Sequence, residues 1–199
     1  MARVRLETLL LASILPLLPA ATGLAADEHA HHHDMMAAPS VQISKHSYQL
    51  PDAPLTDETG GRTSLKELLA TERPVVMNFI YTSCTTICPV MTATLVQMQR
   101  QMAGSKQMPL FVSISVDPDF DSPAILKSYA ARSGADWTFL TGSRNDVLTV
   151  LGGFDAWRGS KANHAAITLM RGAHSKEWTR IEGLASAQQL VSIWSDVAG

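Results

Sequence analysis

Two stretches of the chain are apolar at almost every position, Pro74-Val75-Val76-Met77-Asn78-Phe79-Ile80-Tyr81-Thr82 and Leu110-Phe111-Val112-Ser113-Ile114-Ser115-Val116. Runs of this length, rich in β-branched and aromatic residues, predict strands inside a sheet covered on both faces. Between them Met91, Leu95, Met98 and Met102 recur at helical spacing. That predicts a helix starting between Thr85 and Pro89 and running to about Ala103, with Gly104 ending it and the methionines packed in the core. Ser122-Pro123 opens a further helix to about Ser133, Trp137 to Leu140 reads as a short strand, and Ser143 starts a helix to Leu151. Ala165 to Arg171 and Lys176 to Glu182 predict a hairpin across Gly172-Ala173-His174-Ser175, and Ser186 begins a C-terminal helix. Upstream, Pro51, Pro54, Gly60 and Gly61 divide Tyr48 to Thr63 into short strands around a surface hairpin. Ser64 caps a short helix, Leu65 to Thr71, with Glu67 closing a capping box. The succession predicts one α/β domain over residues 45–199, a central mixed sheet with helices on both faces and a C-terminal hairpin plus helix.

The N-terminal pattern is different. Arg3 and Arg5 precede an apolar run from Leu9 to Leu18, and small residues close the segment at Gly23-Leu24-Ala25-Ala26. This is the layout of an export signal over residues 1–26, with cleavage expected after Ala25 or Ala26. The run is short of the about 20 residues of a membrane span, and Pro16 and Pro19 interrupt it. Left uncleaved, it would serve as an N-terminal anchor. Export places the protein in an oxidising compartment, expected to be the periplasm, where neighbouring cysteines tend towards a disulfide unless something reduces them. Residues 27–44 show no apolar periodicity and hold four of the seven histidines together with Met35 and Met36. They are expected to form a flexible His/Met-rich tail, a composition that suits either a solvated linker or weak collection of copper.

Composition narrows the function classes. With 16 Lys and Arg against 18 Asp and Glu the formal charge is −2, and loss of residues 1–26 would take it to −3. Nucleic-acid binding through phosphates needs a basic face that this balance does not supply. Two cysteines are too few for a disulfide-dense scaffold or a four-thiolate metal site, but enough for one pair.

That pair is Cys84 and Cys88, in Ser83-Cys84-Thr85-Thr86-Ile87-Cys88-Pro89, between a buried strand and a helix start. A spacing of four brings the sulfurs to one side of the first turn, about 5–6 Å apart at Cβ, close enough to chelate one ion or to pair as a disulfide. Unpaired N–H groups at a helix start favour thiolate, the form that binds metal and attacks disulfides. Two thiolates suit linear Cu(I), and a third ligand would give trigonal copper stable as Cu(I) or Cu(II). His164 is the candidate third ligand. It follows a glycine-containing loop and enters the strand from Ala165, so it should project from the same end of the sheet as the cysteines. The site is expected to be exposed. His46, just before the strand and helix signals that begin at Ser47, and His174, in the hairpin turn, are given no role.

The cysteine motif, the segment Val116-Asp117-Pro118-Asp119-Phe120-Asp121-Ser122-Pro123, the segment Trp137-Thr138-Phe139-Leu140-Thr141-Gly142 and His164 before a strand together resemble the Sco/SenC family over about residues 45–198. The resemblance implies a thioredoxin-like fold of peroxiredoxin-like type, a copper site at Cys84, Cys88 and His164, and Asp117 and Asp121 shaping the adjacent loop. It further implies delivery of copper to the dinuclear centre of cytochrome oxidase subunit II, or reduction of that centre's cysteines. A copper-donor chaperone and a thiol reductant would be further partners, and the protein would act as a soluble or membrane-associated monomer. Thr85 stands where many relatives have proline, and Asn163 where they have aspartate, which marks a divergent branch.

A thiol–disulfide oxidoreductase, with Cys84 attacking and Cys88 resolving, is the alternative. Thioredoxin-like reductases usually separate their cysteines by two residues and place a proline before the facing strand, where this chain has Asn163-His164-Ala165. A peroxidase would need an arginine near its reactive cysteine, and Tyr81 and Thr82 do not supply one.

Overall fold

The computed structural model describes residues 41–198. The expected signal segment, and the expected tail up to residue 40, lie outside the described residues.

Among the described residues eight strands form one sheet, in the order β1 (Gln42–Ser47), β8 (Glu177–Glu182), β7 (Ile167–Arg171), β4 (Val75–Ile80), β5 (Leu110–Ser115), β6 (Thr138–Thr141), β2 (Pro54–Asp57) and β3 (Arg62–Ser64). The central strands β4, β5 and β6 are parallel, and every other pairing is antiparallel. All six residues of β4 are buried, as a strand covered on both faces requires. Its side chains alternate between the two layers. Val75, Met77 and Phe79 pack with Val147, Val150, Leu151 and Phe154 on one face, while Val76 and Ile80 face helices on the other. Those helices are α2 (Ile87–Gln101), α3 (Pro123–Ser133) and α5 (Ala187–Ala198).

Local sequence explains the helix starts. Ser64 and Glu67 form the expected capping box of α1 (Leu65–Leu69). Ser122 caps α3 ahead of Pro123, and Ser143 caps α4 (Arg144–Gly153). The stripe Met91, Leu95, Met98 and Met102 on and just beyond α2 is buried, as core packing demands. No helix among the described residues is long and apolar enough to cross a membrane.

β1 differs from the expectation. It begins at Gln42, three residues inside the segment assigned to the tail, and its pairing with β8 puts His46 within the sheet rather than ahead of the first strand. Five of its six residues are exposed, so no apolar alternation announces it, and backbone pairing at the sheet edge holds it in place.

Candidate metal centre

β4 delivers its chain to the site. After Ile80 the backbone turns through Tyr81-Thr82-Ser83, Cys84 donates its N–H to the Tyr81 carbonyl at 3.2 Å, and α2 begins at Ile87. Cys84 therefore lies in the turn ahead of the helix, whereas Cys88 is the second residue within it. Both are free thiols. Contrary to the expected exposure, Cys84 is 6% exposed and Cys88 fully buried, because both join Ile80, Leu126, Tyr129 and Phe139 in one apolar cluster.

The two sulfurs have opposite electrostatics. For Cys84, burial disfavours charge, but N–H groups of Cys88 and Thr86 donate to the sulfur and bring its pKa down to about 6. The Cys88 N–H lies 3.4 Å from the Cys84 sulfur. For Cys88, burial dominates, and the neighbouring Cys84 and the Asp121 carboxylate add to it, pushing the thiol up to about 12. The helix start thus activates one cysteine, not both, because only Cys84 stands where free N–H groups can point at it.

The turn is held by Asp121. This fully buried carboxylate accepts hydrogen bonds from the Thr82 N–H at 3.2 Å, from the Thr82 hydroxyl and from the Ser115 hydroxyl at 2.6 Å. Burial raises its pKa against these donors. The Ser115 oxygen also accepts the Asp117 N–H at 3.0 Å. So the ends of β4 and β5 are tied together through a loop that runs from Asp117 to Asp121.

His164 follows a short 3-10 turn, Lys161–Asn163, and its Nε2–H donates to the Phe79 carbonyl at 2.8 Å. β7 pairs with β4 only as far as Asn78, so that carbonyl has no strand partner on its β7 side and the imidazole takes the place. Burial lowers the His164 pKa and the Arg158 cation adds to this, against the Phe79 bond, so the ring is neutral at pH 7 with its Nδ1 lone pair free. Tyr81 stands between histidine and cysteine. Its ring centroid is 6.2 Å from that of His164, and burial together with a hydrogen bond to Cys84 raises its phenol pKa. Lys161 reaches over the Tyr81 ring, 5.9 Å from its centroid, and pairs with Asp117 at 2.5 Å.

Cys84, Cys88 and His164 thus belong to one end of the sheet, yet no three His, Cys, Asp or Glu side chains among the described residues are grouped closely enough to hold an ion. Sequence reading missed Lys161 and the Thr82 and Ser115 donors. The polar residues ending two otherwise apolar strands were the available signal for the latter, and nothing local marked Lys161. Beside Asp117 a cavity of about 440 Å³ is lined by Phe120, Arg144, Trp157 and Lys161, among others. Phe120, on the loop from Asp117 to Asp121, and Val90, in α2 two residues after Cys88, are two of only three large apolar side chains exposed among the described residues.

A stabilised thiolate and a buried thiol at the turn leaving a central strand, with a neutral imidazole at the same end of the sheet, define a thioredoxin-like protein equipped for metal or disulfide chemistry. The SCO1/SenC family model matches residues 46–195, and the chain belongs to that family. A SCO1 protein homologue of Bacillus subtilis is 34% identical over 99 residues, 48% of this chain and 50% of that protein, so the chain matches about half the length of this curated relative. Among solved structures, BsSco, a member of the Sco family of cytochrome c oxidase assembly proteins with a disulfide switch, is 25% identical. Its TM-score is 0.63, covering 77% of this chain and 95% of that one. Yeast Sco1 with copper bound shares the fold at 20% identity and a TM-score of 0.64, covering 76% and 88%.

Proposed function

We propose that the protein is an exported copper chaperone of the periplasm. Cys84 and Cys88 hold copper as thiolates, His164 completes the site, and the ion passes by ligand exchange to a partner metalloprotein such as the dinuclear copper centre of cytochrome c oxidase. The observation that carries this reading is the pairing of one stabilised thiolate with a neutral imidazole at the same end of the sheet. Soft thiolates suit Cu(I), and the imidazole extends the site to Cu(II). The copper-bound yeast relative and the assembly role of BsSco support it. To reach the copper, His164 uses its free Nδ1 or leaves the Phe79 carbonyl. The exposed Phe120 and Val90 offer an acceptor an apolar contact beside the cysteines.

The unequal thiols favour a second reading, the oxidoreductase. The Cys84 thiolate would attack an acceptor disulfide, releasing one acceptor thiolate, and Cys88 would resolve the mixed disulfide. The products are a Cys84–Cys88 disulfide and two acceptor thiols. One experiment separates the two. Copper-loaded protein is mixed anaerobically with the reduced copper domain of an oxidase subunit II, and copper-free protein with the oxidised domain. The chaperone reading expects copper transfer in the first mixture. Transfer absent there, with reduction in the second, would replace it with the oxidoreductase.

A further inference from the structure

His164 stands late in the connection between α4 and β7, and residues 159–163, immediately before it, are all exposed. A stretch that buries so little opens at low free energy unless polar ties hold it. The place of the imidazole therefore depends on how the connection is fastened just upstream.

That fastening is built from two arginines and a glutamate. Arg180 on β8 is 3% exposed. Its Nη1 donates to the Phe154 carbonyl at 2.9 Å and to the Tyr48 hydroxyl at 3.3 Å, its Nη2 to the Asp155 carbonyl at 3.1 Å, and its Nε to the Glu182 carboxylate at 2.7 Å. Nη2 also lies 2.6 Å from the same Glu182 oxygen. All three guanidinium nitrogens are thus engaged, in a planar fork that a lysine cannot reproduce. Arg158 meets the same two acceptors. Its Nη1 donates to the Asp155 carbonyl at 2.8 Å and to the Trp157 carbonyl at 3.1 Å, and its Nη2 stands 3.8 Å from the Glu182 carboxylate. The Asp155 carbonyl and the Glu182 carboxylate are therefore each shared by both guanidinium groups. Asp155 has a φ of 48°, a left-handed conformation that a residue other than glycine keeps only where its surroundings impose it. Two guanidinium groups on its carbonyl do so.

Arg158 carries this fastening on to the histidine. Its own carbonyl accepts a hydrogen bond from Asn163 Nδ2 at 3.3 Å, which closes the exposed stretch into a loop ending beside His164. Within the loop the Asn163 N–H donates to the Ser160 carbonyl and the His164 N–H to the Lys161 carbonyl. Arg158 and His164 also line one small hollow, with Trp157 and Lys161 among others. A second tie, from Lys161 to Asp117, runs through a half-exposed lysine. The tie through Arg158 ends instead on a buried guanidinium in a strand, so it refers the histidine to the sheet.

We infer that Arg158, clamped by Glu182 and Arg180, is a positioning residue for the copper site: it sets where the His164 imidazole stands and so how firmly the site holds Cu(II). This rests on the reading of His164 as a copper ligand. Two thiolates suffice for the softer Cu(I), so the clamp acts on Cu(II) alone.

The test compares wild type with Arg158→Ala, Arg158→Lys, Glu182→Gln and His164→Ala. Arg158 and Glu182 are each about a third exposed, so their replacement spares the core. In copper-free protein the bond to the Phe79 carbonyl should give a protected imidazole N–H proton in the NMR spectrum, assigned by its absence from His164→Ala. Arg158→Ala and Glu182→Gln should lose that signal. With Cu(II) they should bind about 10–100-fold more weakly than wild type, with imidazole-nitrogen couplings reduced in the paramagnetic resonance spectrum, while Cu(I) affinity is unchanged. Arg158→Lys keeps the charge but not the fork, and should behave as Arg158→Ala. The Arg158→Ala, Glu182→Gln double variant should lose no more Cu(II) affinity than either single variant, since both break one clamp. Arg158 and Glu182 variants that keep the N–H signal and wild-type Cu(II) binding, beside a His164→Ala protein that has lost Cu(II), would overturn the positioning role and leave the copper reading standing. Wild-type behaviour of Arg158→Lys would overturn it as well, by assigning the effect to charge. Should His164→Ala match wild type with Cu(II), the ligand reading falls and the copper half of the inference with it, while the N–H signal still reports whether the clamp holds the imidazole.

Discussion

The sharpest consequence of the geometry is that Cys84 and Cys88, four residues apart, differ greatly in reactivity. Cys84 moves from 9.0 to about 6 although burial opposes its charge, because N–H groups of Cys88 and Thr86 stabilise the thiolate. Three units correspond to about 4 kcal/mol of preference for the charged form. At pH 7 roughly nine in ten Cys84 side chains are then ionised, against on the order of one in 100,000 for a thiol at about 12. The perturbation is to examine each sulfur alone, in Cys88→Ser and Cys84→Ser. Serine keeps the residue-88 N–H, so Cys84 should remain activated. Alkylation by iodoacetamide, followed by mass spectrometry from pH 4 to 9, should show a midpoint near pH 6 for Cys88→Ser and almost no reaction for Cys84→Ser. Linkage gives a second readout. The folded state binds the Cys84 proton less tightly than the unfolded chain, so this group adds stability as pH rises from about 6 to 9, up to about 4 kcal/mol, and loses it as pH falls back through 6. Cys88, raised on folding, acts in the opposite sense above pH 9. Denaturant melts of Cys88→Ser and the double serine variant across that window isolate the Cys84 contribution. A midpoint near 9 in Cys88→Ser, or comparable alkylation of both sulfurs, would refute the assignment of Cys84 to the free N–H groups.

Two further outcomes test the frame around the site. Asp121→Ala removes the acceptor of the Thr82 N–H, the Thr82 hydroxyl and the Ser115 hydroxyl; at about 1–3 kcal/mol per orphaned donor it should lower stability by at least about 3 kcal/mol in urea unfolding, and an unchanged midpoint would show that the turn is held by other means. Gly172→Ala would place a Cβ 2.4 Å from the Val197 carbonyl oxygen, a backbone atom of α5; a loss of about 1–3 kcal/mol in thermal unfolding is expected, with Cys84 alkylation unaltered at the opposite end of the sheet.

The parts of the fold that the chain announces are those with local causes. Continuous apolar runs mark β4 and β5, Ser64 with Glu67 marks α1, and Ser122-Pro123 and Ser143 mark α3 and α4 within a residue or so. β1 escaped because it buries almost nothing and exists through backbone pairing with a strand some 135 residues away. The same distinction applies at the site. Spacing brings Cys84 and Cys88 to notice, but their inequality depends on a cluster built from Leu126, Tyr129 and Phe139 and on Asp121, all far along the chain. His164 was legible as a residue before a strand. Its bond to the Phe79 carbonyl was not, since it follows from where β7 ceases to pair with β4. Lys161 joins Asp117 across 44 positions, a contact that no local pattern encodes.

The central claim is that Cys84, Cys88 and His164 together bind copper, and anaerobic titration with absorption spectra of both oxidation states tests it most directly. Wild type should show thiolate-to-copper absorption with Cu(I) and Cu(II). Either cysteine-to-serine change should abolish the two-thiolate site, and His164→Ala should keep Cu(I) while weakening Cu(II) severely, because two thiolates still satisfy the softer ion. Wild type without thiolate-to-copper absorption, or a His164→Ala protein matching wild type for both ions, would contradict the account.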